Sequence, residues 1–150
     1  MINYPPSVRQ SSRQIREYAL PHWKSCVYCD KKVHTEMTVE HLIPKSSYDK
    51  FGINLKDGVN SLENLIIACR RCNNERQDMF LSKRLLTLNP NPVEHFVDFI
   101  KTFNGTIING IDYGKSLGAT MLKLLEFEKQ RPELKEFNLD SLIKHFDIFR

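Results

Sequence analysis

The four cysteines constrain this chain more than any other feature. They form two pairs, Cys26-Val27-Tyr28-Cys29 and Cys69-Arg70-Arg71-Cys72, and no cysteine of the 150 residues lies outside them. Two intervening residues let both sulfurs of a pair turn toward one centre. Two such knuckles supply the four thiolates that tetrahedral Zn2+ prefers. Buried free thiols at chance spacing are the alternative, but they would not leave every cysteine paired. The 39 residues between Cys29 and Cys69 make the ion a clamp on the ends of an inserted segment, Asp30–Ala68. Closing that loop removes entropy from the unfolded chain. A site closed by four thiolates has no open position, so this zinc is structural and any chemistry lies elsewhere.

Cysteines used this way belong in a reducing, intracellular compartment, so the expected location is the cytoplasm. Met1–Pro6 lacks the basic lead into an apolar stretch that marks a secretory signal. No apolar run approaches the ~18–20 residues that span a bilayer, so no membrane partner is expected. With 41% hydrophobic and 27% charged residues, the chain can bury a core without disulfides and is not a disordered polyelectrolyte. The net charge of +4 is unevenly placed. Residues 1–24 hold four positive and one negative side chains, residues 25–90 ten and eight, and residues 91–150 eight and nine. A basic excess confined to the first ninety residues suits an anionic partner such as nucleic acid, although alone it is weak evidence.

The pattern divides the chain into an N-terminal helical segment (1–24), a cysteine-bearing module (25–88) and a helical C-terminal region (89–150). A helix over 8–20 would carry Arg9, Arg13 and Arg16 on its polar face. Thr35–Val39 alternates β-branched residues as a strand does. Residues 46–61 are rich in turn chemistry, and Leu65–Ala68 reads as a short buried strand. Residues 70–86 read as one helix with Met79, Phe80, Leu85 and Leu86 inward. Asn89-Pro90-Asn91-Pro92 is a hard break, with Asn91 placed to cap the next helix, which runs through about Phe103. Thr106–Ile108 is a short β piece between two Asn-Gly steps. Helices over about Tyr113–Lys129 and Leu139–Phe149 follow, the last starting from a cap at Asn138 or Asp140.

Within the clamp lies Val39-Glu40-His41-Leu42-Ile43-Pro44-Lys45. Asn60-Ser61-Leu62-Glu63-Asn64-Leu65-Ile66-Ile67-Ala68 follows and leads into Cys69-Arg70-Arg71-Cys72-Asn73-Asn74-Glu75-Arg76. An acidic-His-x-x-Pro element, an Asn-Leu step, two knuckles and a Cys-Asn-x-x-basic run occur in that order. In this combination the chain resembles the HNH endonucleases, also called ββα-metal or His-Me finger nucleases. The resemblance covers about Cys26–Arg76. It implies an α+β fold: a ββα-metal module stapled by the four-cysteine zinc site and flanked by the N-terminal helix and the C-terminal helices. Where the family often has His after the last cysteine, this chain has Asn73, as in the Asn-bearing branch. Its common Asp before the histidine is Glu40, and its common Lys near the helix start is Arg76.

The residue types suit phosphodiester hydrolysis. His41 can act as general base, because neutral imidazole is abundant near pH 7. Glu40 and Asn73 offer hard oxygen ligands for Mg2+ or Mn2+, which would act as Lewis acid and template. Asn73 can equally be read as a helix cap. By the resemblance, Asn64 orients the loop that holds His41. Arg76, one turn beyond Asn73, is placed to contact the scissile phosphate. Asn60 reads as a turn residue, and His22, His34, His95 and His145 as surface or locally satisfied histidines. The expected substrate is DNA, as duplex. Lys45, Lys50, Lys56, Arg70, Arg71, Lys83 and Arg84 would supply phosphate contacts, which position without specifying. A monomer would nick and a homodimer would cut both strands. Phage or mobile-element nucleases are the natural setting for so short a chain. The competing reading is a non-catalytic zinc module that binds DNA or serves as a scaffold on the same fold.

Overall fold

The structure is a computed structural model that describes residues 13–15, 17, 19–23, 25–30 and 37–150. Arg9 and Arg16 of the expected N-terminal basic face lie outside the described residues, as do Thr35 and Glu36 of the expected strand. Arg13–Ile15 and Glu17 are helical, and Ala19–His22 form a turn.

Strand β1 (Met37–His41) pairs antiparallel with β2 (Leu65–Cys69), Met37 opposite Cys69 and His41 opposite Leu65. Every residue of β2 is buried, as expected of an apolar strand covered on both faces. Helix α1 (Arg70–Arg76) starts where β2 ends, completing a ββα unit. The chain between the strands carries short stretches of 3-10 helix at Lys45–Lys50, Gly58–Asn60 and Leu62–Asn64. The first knuckle joins the unit from outside: the Val27 N–H donates to the Ile67 carbonyl at 3.0 Å.

The single helix expected over 70–86 is two helices. After Arg76 the backbone turns through Gln77 at φ 50 and ψ −120, and α2 (Leu81–Thr87) begins four residues later. The continuous apolar stripe misleads because the carboxylate that starts α2 comes from far along the chain. Glu128 accepts from the Leu81 and Ser82 N–H groups at 3.0 and 2.8 Å, filling donors that a helix start leaves open.

Helix α3 (Val93–Thr102) follows the proline break, and Asn91 Oδ1 accepts from the Val93 N–H at 2.9 Å. A small hairpin, β3 (Ile107–Ile108) with β4 (Ile111–Asp112), leads into α4 (Tyr113–Lys129). Leu117, Met121, Leu124 and Leu125 of α4 are buried and Phe127 is half-buried. Gly114 is needed at the start of α4, because a Cβ there would sit 2.3 Å from the Phe103 carbonyl carbon. The final helix α5 (Leu139–Lys144) is capped by Asn138 and gives way to a 3-10 turn at Asp147–Phe149. One hydrophobic cluster runs from Ile15 through the ββα unit to Phe146. Helix α4 lies against the Leu62–Asn64 turn, and the Tyr113 hydroxyl donates to the Leu65 carbonyl at 2.5 Å. The C-terminal helices thus form the floor beneath the loop that follows His41. No helix among the described residues is long and apolar enough to cross a membrane.

Candidate active site

The knuckles bring all four sulfurs together: the Sγ atoms of Cys26, Cys29, Cys69 and Cys72 lie within 4.8 Å of one another. A tetrahedron with Zn–S bonds of ~2.3 Å has sulfurs ~3.8 Å apart. Cys29 and Cys69 sit at 3.8 Å, so the set is shaped for such an ion. Backbone N–H groups point at the sulfurs, Tyr28 at Cys26 and Cys72 at Cys69, both at 3.4 Å. Hydrogen bonding from the Cys72 side chain, helped by the backbone amides of Cys29, Cys69 and Tyr28, draws the Cys26 thiol down to about 5 against the effect of burial. Deprotonated sulfur is what a metal requires. Helix α3 supports the first knuckle, with His95 Nε2 2.9 Å from the Cys26 carbonyl oxygen.

At the other end of the hairpin β1 stops at His41. The imidazole is half-buried, and its Nε2 lies 3.1 Å from Asn60 Oδ1. Burial holds the His41 pKa below 6.5, outweighing the Asn60 contact, and the positive charges of Lys45 and Arg76 push the same way. The ring is therefore neutral at pH 7. If Nε2 carries the proton toward Asn60, Nδ1 is the basic nitrogen. Asn60, a turn residue in the sequence reading, is thus the partner of the candidate base. Nothing local in the sequence distinguishes it from other turn asparagines.

Asn64 is fully buried and binds across the loop after His41. Its Oδ1 accepts from the Ile43 N–H at 2.8 Å, and its Nδ2 donates to the carbonyls of Val59 and Ile43 at 2.8 and 3.3 Å. One side chain thereby fixes both flanks of the loop, which fits the orienting role expected of it.

Glu40 and Asn73 stand on the face of the hairpin covered by α1. Asn73 Nδ2 donates to Thr38 Oγ1 at 2.9 Å, so the nitrogen end of its amide faces the strand. Glu40 is only 5% exposed. Its Oε2 accepts from the Tyr28 hydroxyl and lies 3.6 Å from Arg76 Nη1, while its Oε1 is buried without a hydrogen-bond partner among the described residues. Burial pushes the Glu40 carboxyl up to about 7, although the Arg76 charge and the Tyr28 hydroxyl favour the anion. An orphaned hard oxygen on the face that also carries Asn73 fits a divalent ion, with the Arg76 pair as its competitor.

Arg76 is not placed as expected. Its side chain is fully buried, so it does not present a guanidinium to a substrate phosphate. Nη1 donates to the His41 carbonyl at 2.7 Å, Nη2 to the Leu42 carbonyl at 2.5 Å and Nε to the Met79 carbonyl at 3.2 Å. Three carbonyls and one carboxylate consume its donors, and a buried cation needs such a set. Arg84 is likewise buried, 3.1 Å from Glu75 and over the Tyr28 ring, rather than free for phosphate. Lys45, Lys50, Lys56, Arg70, Arg71 and Lys83 are exposed, with Arg71 3.8 Å from Glu75.

A cavity of about 460 Å³ opens beside His41, lined also by Pro44, Lys45, Ser46, Gln77 and Asp78. Gln77 and Asp78 carry no signal in the sequence, since a Gln-Asp step inside an apolar helical stripe has no turn signature. Gln77 holds a positive φ that costs a residue with a Cβ about 1–3 kcal/mol.

Residues 26–78 match the HNH endonuclease family model. The chain is 34% identical over 82 residues to Septu protein PtuB of Bacillus thuringiensis, a match spanning 53% of this chain and 28% of that protein. It therefore aligns with little more than a quarter of the length of that curated relative. No solved structure matches. Sequence motifs, a ββα unit closed by four clustered cysteines and the family match all fall on the same residues, so the 26–78 segment is similar to the HNH endonucleases in both sequence and fold.

Proposed function

We propose that this protein is a metal-dependent DNA endonuclease whose cysteine cluster holds a structural zinc. The observation that carries the reading is the state of His41: a neutral imidazole, bonded through one nitrogen to Asn60 and lining a cavity beside Lys45. A base so held can take a proton from water as it attacks phosphorus. Lys45 supplies positive charge to the phosphate oxygens. Asn64 and Arg76 hold the backbone of the loop, so the base is set before substrate arrives. Glu40 Oε1 and Asn73 would hold the Mg2+ or Mn2+, which supplies Lewis-acid stabilisation of the developing charge and the leaving oxygen. The exposed lysines and arginines of the module suit the backbone of duplex DNA without reading its sequence.

One observation favours a second reading, a zinc module that binds DNA without cutting it. The Glu40 carboxylate is buried and already engaged by Tyr28 and Arg76. Incubation of supercoiled plasmid with Mg2+ or Mn2+ separates the two. Nicking by the wild type, lowered by about 100-fold or more in His41→Ala with the far-UV spectrum unchanged, is the expected result. Equal cleavage by the variant would remove His41 as the base. Salt-dependent binding without cleavage under either metal would establish the second reading.

A further inference from the structure

The cavity beside His41 has walls from two segments far apart in sequence, His41–Ser46 and Gln77–Asp78. A single guanidinium sets both. Arg76 holds the His41 and Leu42 carbonyls on one side and the Met79 carbonyl on the other, and the Met79 N–H returns to the Arg76 carbonyl at 2.9 Å. The Gln77 N–H is also engaged, donating to the Asn73 carbonyl. The turn through Gln77 is therefore pinned at both ends, and its φ of 50 cannot relax. Glycine would accept that geometry freely, whereas glutamine does not. Such strain persists only where the surroundings over-determine it, and it gathers at binding sites. What glutamine brings to this position is its amide. That side chain is exposed, lines the cavity with His41 and Lys45, and makes no hydrogen bond among the described residues.

We propose that Gln77 is a substrate contact, its amide N–H groups donating to a backbone phosphate of the nucleic-acid strand whose scissile phosphate lies between His41 and Lys45. This rests on the nuclease reading above. Glutamine is a regular donor to phosphate oxygens, and a contact of that kind positions the strand without reading its sequence. Asp78 lines the same cavity and repels an entering phosphate. Lys45 and the Gln77 amide together offset that repulsion. A neutral donor beside an acidic neighbour holds the strand in place without the affinity of a second cation.

The test uses Gln77→Gly, which removes the strain together with the side chain, and Gln77→Glu, which turns the donor into an anion. Binding is measured by fluorescence anisotropy of labelled DNA duplexes of different sequence, in the His41→Ala background. Cleavage of plasmid is followed with each Gln77 substitution alone. For Gln77→Gly the expected result is an equal or higher Tm and a Kd weakened about fivefold, as for one lost hydrogen bond. The loss should be the same on every sequence, and KM should rise more than kcat falls. Gln77→Glu should weaken binding further. An unchanged Kd in Gln77→Gly overturns the proposal, and so does a loss confined to one sequence. A wild-type protein that binds duplex but never cuts removes the nuclease reading, and the Kd series still decides Gln77. A protein that does not bind duplex removes both.

Discussion

The two ends of α1 are fixed to the hairpin by opposite means. At its start the Cys69 and Cys72 sulfurs join those of Cys26 and Cys29 in one cluster. At its end the Arg76 guanidinium reaches back to the His41 and Leu42 carbonyls and the Glu40 carboxylate. The first joint gathers four sulfurs placed to hold a cation. The second gathers carbonyls and a carboxylate around a cation that is part of the chain. Both tie the same helix to the same strand pair, but only the second lies beside the candidate base. With a metal bound, the cysteine end would govern whether the module folds, and the arginine end how well the His41 loop is set.

Removing the metal should break this comparison most sharply. With zinc chelated, or with Cys72→Ser, the knuckles lose their centre and the 39-residue insert loses its closure. Structural zinc is worth on the order of 10 kcal/mol in small peptides. Here the C-terminal helices share the core and retain part of the stability. A loss of at least ~5 kcal/mol, or a fall in Tm of ~10–20 °C, is expected by calorimetry on a metal-loaded and a chelated sample. An unchanged Tm would show that the cysteines pack without a metal.

Breaking the arginine end should cost less and depend on pH. Arg76→Ala strands a buried carboxylate and three carbonyls, a change of about 3–5 kcal/mol where the carboxylate stays ionised. Glu40 can escape by taking up a proton, since burial already holds its pKa near 7, well above that of an unfolded glutamate. A carboxyl raised on folding contributes stability at low pH that is lost as pH rises through the folded value. The wild type should therefore lose some stability between about pH 4.5 and 7. Without Arg76 that loss should extend to higher pH, making the variant's deficit larger at pH 8 than at pH 6 by urea unfolding. Arg76→Lys should fall between, because one ammonium cannot reach both the His41–Leu42 carbonyls and that of Met79. A deficit that does not change with pH would mean that Glu40 is not the group left exposed to the loss.

The same contrast marks what could be read in the sequence. The cysteine end was legible because a metal demands fixed residue types at fixed spacing. The ββα order, the Glu40-His41 pair and Asn64 were legible for a similar reason, as a run of rare residues in order. The arginine end was not. A basic residue one turn beyond Asn73 reads as a phosphate contact, and only the fold shows that three carbonyls converge on Arg76 and bury it. The split of 70–86 was hidden too. Its turn uses Gln77 where a glycine would have announced it, and Glu128, which caps α2, is some forty-seven residues away. Asn60 reads as an ordinary turn residue, because a turn asparagine beside a histidine across a loop leaves no periodic trace.

The smallest effect concerns the acid limb of activity, and it sharpens the comparison from the side of the site. Two groups near the hairpin end bear on it. His41 must be neutral to act as base, and burial keeps its pKa below 6.5. Glu40 must be ionised to hold a divalent ion, and its own value is about 7. If Glu40 holds the ion, saturating Mg2+ would keep the carboxylate deprotonated, so the rate should fall only below pH 6.5, with the midpoint set by His41. At Mg2+ well below saturation each ion bound must displace a proton from Glu40, so the midpoint should climb toward 7. Plasmid-nicking rates across pH at two metal concentrations read this directly. In Glu40→Gln the climb should vanish, because no carboxyl proton is left for the ion to displace. A midpoint that stays fixed in the wild type at both concentrations would show that Glu40 remains with Arg76 and Tyr28 during turnover and takes no part in holding the ion.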